Sequence, residues 1–273
     1  MNRWWPGLAL CAVVLSGCAA GAATPGAGSG PVADLVSGLA PLHSGVLDFE
    51  VVSQPGTVGS QGGVGYRLSG PFGDPPPGQS LPLLHLTIEP IGTGGAAVTV
   101  VSNGNQASIV QPSGARTTLT AAQAAQLAAG VRPGGDLTGV RQLDLASWAQ
   151  GKETRSRTTI DGTTVDQVES SVDPVTALNG VERVLAGTIG AAATQPVDPG
   201  SQAATQIRKA VESSRLTVEA GATDHLIRLI ELDLTFAAPA TGPLRAALGP
   251  LGGLRIQMRV QVSDPNRPVT VTP

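Results

Sequence analysis

Leu254-Arg255-Ile256-Gln257-Met258-Arg259-Val260-Gln261-Val262 alternates apolar and polar residues without a fault. Successive side chains of a strand point to opposite faces, so this stretch predicts a β-strand with one buried and one wet face. The same period recurs elsewhere. Leu47, Phe49 and Val51 alternate with Asp48 and Glu50, and Val64, Tyr66 and Leu68 alternate with Gly65, Arg67 and Ser69. Leu84, Leu86 and Ile88 alternate with His85, Thr87 and Glu89. Residues 216–220 form a further candidate strand, and residues 226–236 a long one, apolar on both faces with Arg228, Glu231 and Asp233 interspersed.

Turn chemistry pairs these runs. Asn103-Gly104 lies between residues 98–101 and 106–110, and Asp161-Gly162 between residues 154–160 and 163–172. Both dipeptides accept the positive φ of a tight hairpin. Residues 70–82, rich in Gly and Pro, and residues 131–139 read as loops.

Helical spacing appears in blocks between the strands. Val32, Leu35, Val36, Leu39 and Leu42 predict a helix that Gly38 and Pro41 keep short. Residues 120–129 are Ala- and Gln-rich, with Thr120 placed to cap and Gly130 to stop. Asp173-Pro174 starts another helix, with Val175, Leu178, Val181 and Leu185 as its stripe and Gly187 as its stop. Residues 201–213 predict a short one, and Leu143, Leu145 and Trp148 form an apolar group of no fixed element type. Hairpin-linked strands with helices in separate blocks give an antiparallel α+β fold.

The amino terminus has its own logic. Arg3 precedes an apolar run from Trp4 to Leu15, which ends on Leu15-Ser16-Gly17-Cys18. A basic start, a short apolar middle and small residues make an export signal over residues 1–17. The run is too short for a spanning helix, which needs ~20 residues. Residues 18–30 then read as a cysteine followed by a Gly/Ala/Ser/Pro tether, and residues 31–273 as the folded domain. Cys11 lies within the signal, so Cys18 is alone in the mature chain and no internal disulfide forms.

The chain has 273 residues, 14% of them charged, with a net charge of −3 and only 3% aromatics. This balance offers nucleic acid no basic footprint, so nucleic acid is excluded as a partner. His43, His85 and His225 are far apart and no second mature cysteine exists, so no metal site is expected. Gly92-Thr93-Gly94-Gly95-Ala96-Ala97 mimics a dinucleotide loop, but a strand-like run follows it where a helix N-terminus is required. No nucleophile motif appears, Asp161 is explained by its turn and Asp173 by its cap. The inventory argues against an enzyme and implies no cofactor.

The Leu15-Ser16-Gly17-Cys18 ending resembles the lipobox of bacterial lipoproteins. Together with Leu47-Asp48-Phe49-Glu50-Val51 and Ile160-Asp161-Gly162-Thr163-Thr164-Val165, other pieces extend the likeness. They are Val172-Asp173-Pro174, Asp224-His225-Leu226-Ile227-Arg228 and Val262-Ser263-Asp264-Pro265-Asn266. In this combination the chain resembles the LppX/LprG-type actinobacterial lipoproteins, which share the LolA/LolB-like fold. The resemblance implies a strongly curved antiparallel β-sheet, a half-barrel, closed on its concave face by a few α-helices. It implies a diacylglyceryl anchor at Cys18 that holds the exported protein on the outer face of the cell membrane. It also implies an apolar cavity for a lipid or lipidated ligand, with carriage between membranes as a further expectation. The inward positions expected to line it are Leu47, Phe49, Val51, Tyr66, Leu68, Leu84, Leu86, Ile88, Trp148, Leu226, Ile256, Met258 and Val260. The alternative is a non-carrier lipoprotein, with the same residues filling a solid core and the fold presented to an envelope protein partner.

Overall fold

The computed structural model describes residues 30–39, 41–54, 63–130, 143–160, 162–189, 196–237 and 255–271. The signal, Cys18 and the tether up to residue 29 lie outside these, as do the loop at 131–139, Asp161 and Leu254.

The described strands make one antiparallel sheet. They are β1 (Ser44–Gln54), β2 (Val64–Gly73), β3 (Leu83–Ile91), β4 (Val98–Asn103), β5 (Ala107–Val110) and β6 (Arg116–Thr118), then β7 (Ala149–Ile160), β8 (Thr163–Val172), β9 (Val211–Gly221), β10 (Ile227–Phe236) and β11 (Arg255–Ser263). The spatial order is β6-β5-β4-β3-β2-β1-β11-β10-β9-β8-β7. The first six strands therefore step outward from β1 to one edge. The chain then crosses to the opposite edge, and β7 to β11 step back until β11 pairs with β1. The sheet is open, with β6 and β7 as its edges.

Helices precede the first strand, fill the crossover from β6 to β7 and join β8 to β9. They are α1 (Pro31–Val36), followed by a 3-10 turn at Ser37–Leu39, α2 (Ala121–Gly130), α3 (Leu145–Trp148), α4 (Pro174–Ile189) and α5 (Gln202–Ala210). The architecture is the expected α+β: a large antiparallel sheet carrying a few helices, consistent with a curved half-barrel.

Local signals explain the element starts. Thr120 and Gln123 cap α2 reciprocally: the Gln123 amide donates to Thr120 Oγ1 at 3.3 Å, and the Thr120 amide donates to Gln123 Oε1 at 2.9 Å. Asp173 Oδ1 accepts from the Thr176 amide at 2.9 Å, and Pro174 opens α4 behind it. Asp144 caps α3, accepting from the Ser147 amide at 3.2 Å, which fixes the undecided Leu145–Trp148 group as one helical turn. The Gly92 segment is the β3–β4 connection and precedes a strand, as expected.

The structure corrects several boundaries. Residues 70–73, expected in a loop, continue β2, because Gly70 to Gly73 keep pairing with Leu47 to Ser44 of β1. The helix expected to reach residue 213 stops at Ala210, because Val211 pairs with Phe236 and starts β9. α4 passes through Gly187 to Ile189; one helical glycine costs only about 1 kcal/mol against alanine. β10 is not apolar on both faces. Ile227, Ile230, Leu232, Leu234 and Phe236 are buried while Leu229 is half-buried on the other side of a register shift. The short β6 carried no apolar period and exists by pairing with β5.

Candidate functional site: the apolar sheet face

One row of facing residues runs nearly the width of the sheet: Val98, Ile88, Leu68, Phe49, Val260, Ile230, Val218, Val168 and Arg155. A second joins Tyr66, Val51, Met258, Leu232 and Leu216. Because the side-chain period is two, these rows share one face, and all four alternating strands, β1, β2, β3 and β11, contribute their apolar set to it. α1 packs on β7, β8 and β9, and α5 on β9, so this helical cover lies over the β7–β9 half.

The expected lining residues divide along the sheet. Leu47, Ile256, Met258 and Val260 retain 0 to 1% exposure with Phe49 and Val51, while Leu68, Leu84, Leu86 and Trp148 stay buried beside them. An atom facing a water-sized void keeps accessible surface, so the first six front packed side chains. All ten belong to one continuous core with Leu145, Val175, Leu178 and Ile207 from the helices. Leu226 is buried outside that core, and its neighbour Ile227 takes the inward place.

The face changes character beyond β1. Ile88, Val98, Val100 and Ile109 are only half-buried, and Tyr66 and Val64 are exposed. Val100 pairs with Leu86 and Ile109 with Val100, so these side chains prolong the buried rows toward β5. The apolar face thus runs from a filled core under the helices to a half-open strip across β2–β5.

The opposite face is polar and charge-ordered. Glu89, Arg67, Glu50, Arg259 and Glu231 sit side by side on five adjacent strands, with alternating sign. Opposite charges directly across a strand pair each contribute roughly 0.2–1 kcal/mol, and a slip would place like charges together. Two open grooves lie on this side. One of about 490 Å³ is lined by Lys152, Thr154, Glu169, Arg215, Asp233 and Arg255, among others. The other, of about 420 Å³, includes Ile160, Glu219, Arg228 and Arg259.

Three carboxylates are buried, of which Asp166 and Glu219 escaped the sequence reading and Asp173 was expected only as a helix cap. Asp166 is held by Arg157 Nε at 2.7 Å and Arg155 Nη2 at 3.4 Å, and the Arg157 bond leads in holding its carboxyl below the ordinary range. Burial pushes Asp173 up, but the Arg208 bond at 2.7 Å and the Thr176 cap outweigh it, so its net shift is downward. Glu219 moves the other way. Burial, aided by Glu231, raises it against the Gln167 bond at 2.9 Å and Arg259. The signal for Asp166 was available: counting outward from Asp161-Gly162 puts Arg157 opposite it.

A raised carboxylate destabilises the fold once ionised. Its contribution is complete below the ordinary glutamate pKa and is lost as pH rises through the higher folded value. Glu219→Gln is therefore expected to raise Tm at pH 7, by no more than about 2–4 °C for a domain of this size. The gain should vanish below pH ~4. Thermal unfolding at both values checks this, and an equal shift at each would show that ionisation is not the cause.

The histidines stay apart. His43 is exposed and bonded to Asp74 at 2.7 Å, His85 is exposed on β3, and His225 is exposed in a turn at φ 56°. Among the described residues no three His, Cys, Asp or Glu side chains gather as a metal site, and no helix is long and apolar enough to cross a membrane.

No protein-family model matches the chain, and no curated protein matches it by sequence. Solved structures do. LprF from Mycobacterium bovis is similar over 88% of this chain and 93% of its own, with 12% identity and a TM-score of 0.42. Mycobacterium tuberculosis lipoprotein LppX is similar over 88% of this chain and 96% of its own, with 12% identity and a TM-score of 0.38. A putative outer membrane lipoprotein-sorting protein domain from Vibrio parahaemolyticus is similar over 85% of this chain and 88% of its own, at 9% identity and a TM-score of 0.20.

Proposed function

We propose that this chain is an exported lipoprotein, acylated at Cys18, that binds the apolar tails of a lipid or lipidated molecule without catalysing a reaction. The binding place is the half-open strip of Tyr66, Ile88, Val98, Val100 and Ile109. The observation that carries this reading is the extent of the apolar face, which continues past the filled core as side chains that are only half-buried. Contiguous apolar surface left accessible to water marks a binding site more often than a packing error. The ligand would lie along β2–β5 and not over β1 and β11, where Met258 and its neighbours are fully buried. A strip open at one side also suits release to a second membrane.

Native mass spectrometry of Cys18→Ser protein purified from its host is expected to show co-purified lipid. Val98→Asp should keep cooperative unfolding, since the position is half-buried, yet lower uptake of a fluorescent fatty acid about tenfold, one apolar contact replaced by a charge. Unchanged uptake would remove the strip from consideration. Transfer of labelled lipid between donor and acceptor vesicles tests the carrying step.

The solid packing of Leu47, Ile256, Met258 and Val260 favours a second reading, a non-carrier lipoprotein that meets another envelope protein. Lipid-free protein with no uptake, together with one reproducible crosslinked partner, would support it over the first.

A further inference from the structure

The folded domain begins at one edge of its sheet. Gly30 lies against Glu153 of β7, and the Val32 amide at the start of α1 donates to Glu153 Oε2 at 2.8 Å. β7 is an edge strand of 12 residues, all but two of them exposed. An edge this long offers unpaired backbone groups to any passing strand. It carries three cations, Lys152, Arg155 and Arg157, against two carboxylates: Asp166 of β8, which Arg155 and Arg157 share, and its own Glu153, which is taken by α1. Ile160, 42% exposed, closes the strand. Beside Lys152 the groove of about 490 Å³ adds Arg215 along with Glu169, the Arg255–Asp233 pair, and the hydroxyls of Thr154 and Ser213.

We infer that β7 is the edge that rests on the anchoring membrane, with its cations on anionic phospholipid headgroups. This rests on acylation at Cys18. Cys18 is twelve residues before Gly30, so the chain between them reaches at most about 40 Å. The opposite edge, β6, lies ten strand spacings further along the curved sheet. The exit point therefore makes β7 the near edge, and charge complementarity holds it there. The same cations repel a second copy of the strand, which argues against pairing between two β7 edges. With β7 down, the half-open strip near β4 and β5 faces away from the anchoring bilayer, toward whatever delivers or receives its ligand.

The test uses the acylated full chain on vesicles of phosphatidylcholine with phosphatidylglycerol and a headgroup spin-labelled lipid. Fluorophores are placed through Ser156→Cys on β7 and, separately, Ser113→Cys in the β5–β6 turn. The β7 label should be quenched at least twofold more. That excess should disappear in about 0.5 M salt, where the Debye length falls below 5 Å. It should also disappear in Lys152→Gln/Arg155→Gln, which leaves the Arg157–Asp166 pair intact. Each exposed cation near an anionic surface is worth about a fivefold change in partitioning. Equal quenching at the two labels overturns the orientation alone, and an excess indifferent to salt and to both substitutions overturns the seat of its cations on the headgroups. A chain that takes up no labelled fatty acid in its host overturns the anchor and this orientation with it.

Discussion

Met258→Asp is expected to leave no cooperatively folded protein. Met258 is fully buried in the middle of β11, facing Val51 on one neighbouring strand and Leu232 on the other. Removing its side chain loses about 1.5–3 kcal/mol of apolar burial. Leaving an unpaired carboxylate in its place costs several kcal/mol more. Domains keep only about 5–15 kcal/mol in total, so the sum consumes most of the margin. Gln257 and Arg259 point to the wet face. Gln257→Ala should stay within ~0.5 kcal/mol of the parent. Arg259→Ala should cost about 1 kcal/mol at most, since it separates Glu50 from Glu231 in the charge row. Urea unfolding of the three variants checks the contrast. A folded Met258→Asp protein would mean that space exists beside β11 after all, and that lipid could lie beneath the helices.

That contrast shows what alternation makes legible. Period two names the two faces of β1, β2, β3 and β11, because each face has a single solvent. It cannot say what lies opposite the apolar face. Ile88 and Met258 occupy equivalent positions in pattern, yet one is half-buried and the other sealed. The difference is set by what packs over the sheet from elsewhere in the chain. Turn dipeptides are more informative than they first look. Asp161-Gly162 marks a hairpin and also dictates its register, so the Arg157–Asp166 pair was there to be counted. By contrast, the Asp173–Arg208 bond joins α4 to α5 across 35 positions, and no local rule reaches it. Cap and turn chemistry were readable because their partners are near neighbours. Long-range polar pairs were not, for the same reason.

The contact between Trp148 and Gly180 is a second place where two distant positions were chosen together, and it yields a change of sign. Trp148 ends the single turn of α3 with 2% exposure, and its carbonyl accepts from the Asp173 amide at 2.9 Å, just before α4. Gly180 lies inside α4, directly under the indole. A Cβ there would collide with Trp148 Cζ2, stand 2.8 Å from Cε2 and 3.1 Å from Nε1. A helical glycine costs about 1 kcal/mol against alanine, and here it makes room for a ring. Trp148→Ala should therefore cost ~3–5 kcal/mol, as large-to-small changes in a core do. Gly180→Ala in the parent should also destabilise, by ~1–3 kcal/mol, because overpacking outweighs the gain in helix propensity. In the Trp148→Ala background the obstacle is gone, and the same Gly180→Ala should stabilise by up to about 1 kcal/mol. Urea denaturation with constant slope reads all four corners of the cycle. If Gly180→Ala costs the same in both backgrounds, the two residues do not meet and α4 does not pack on Trp148 in this way.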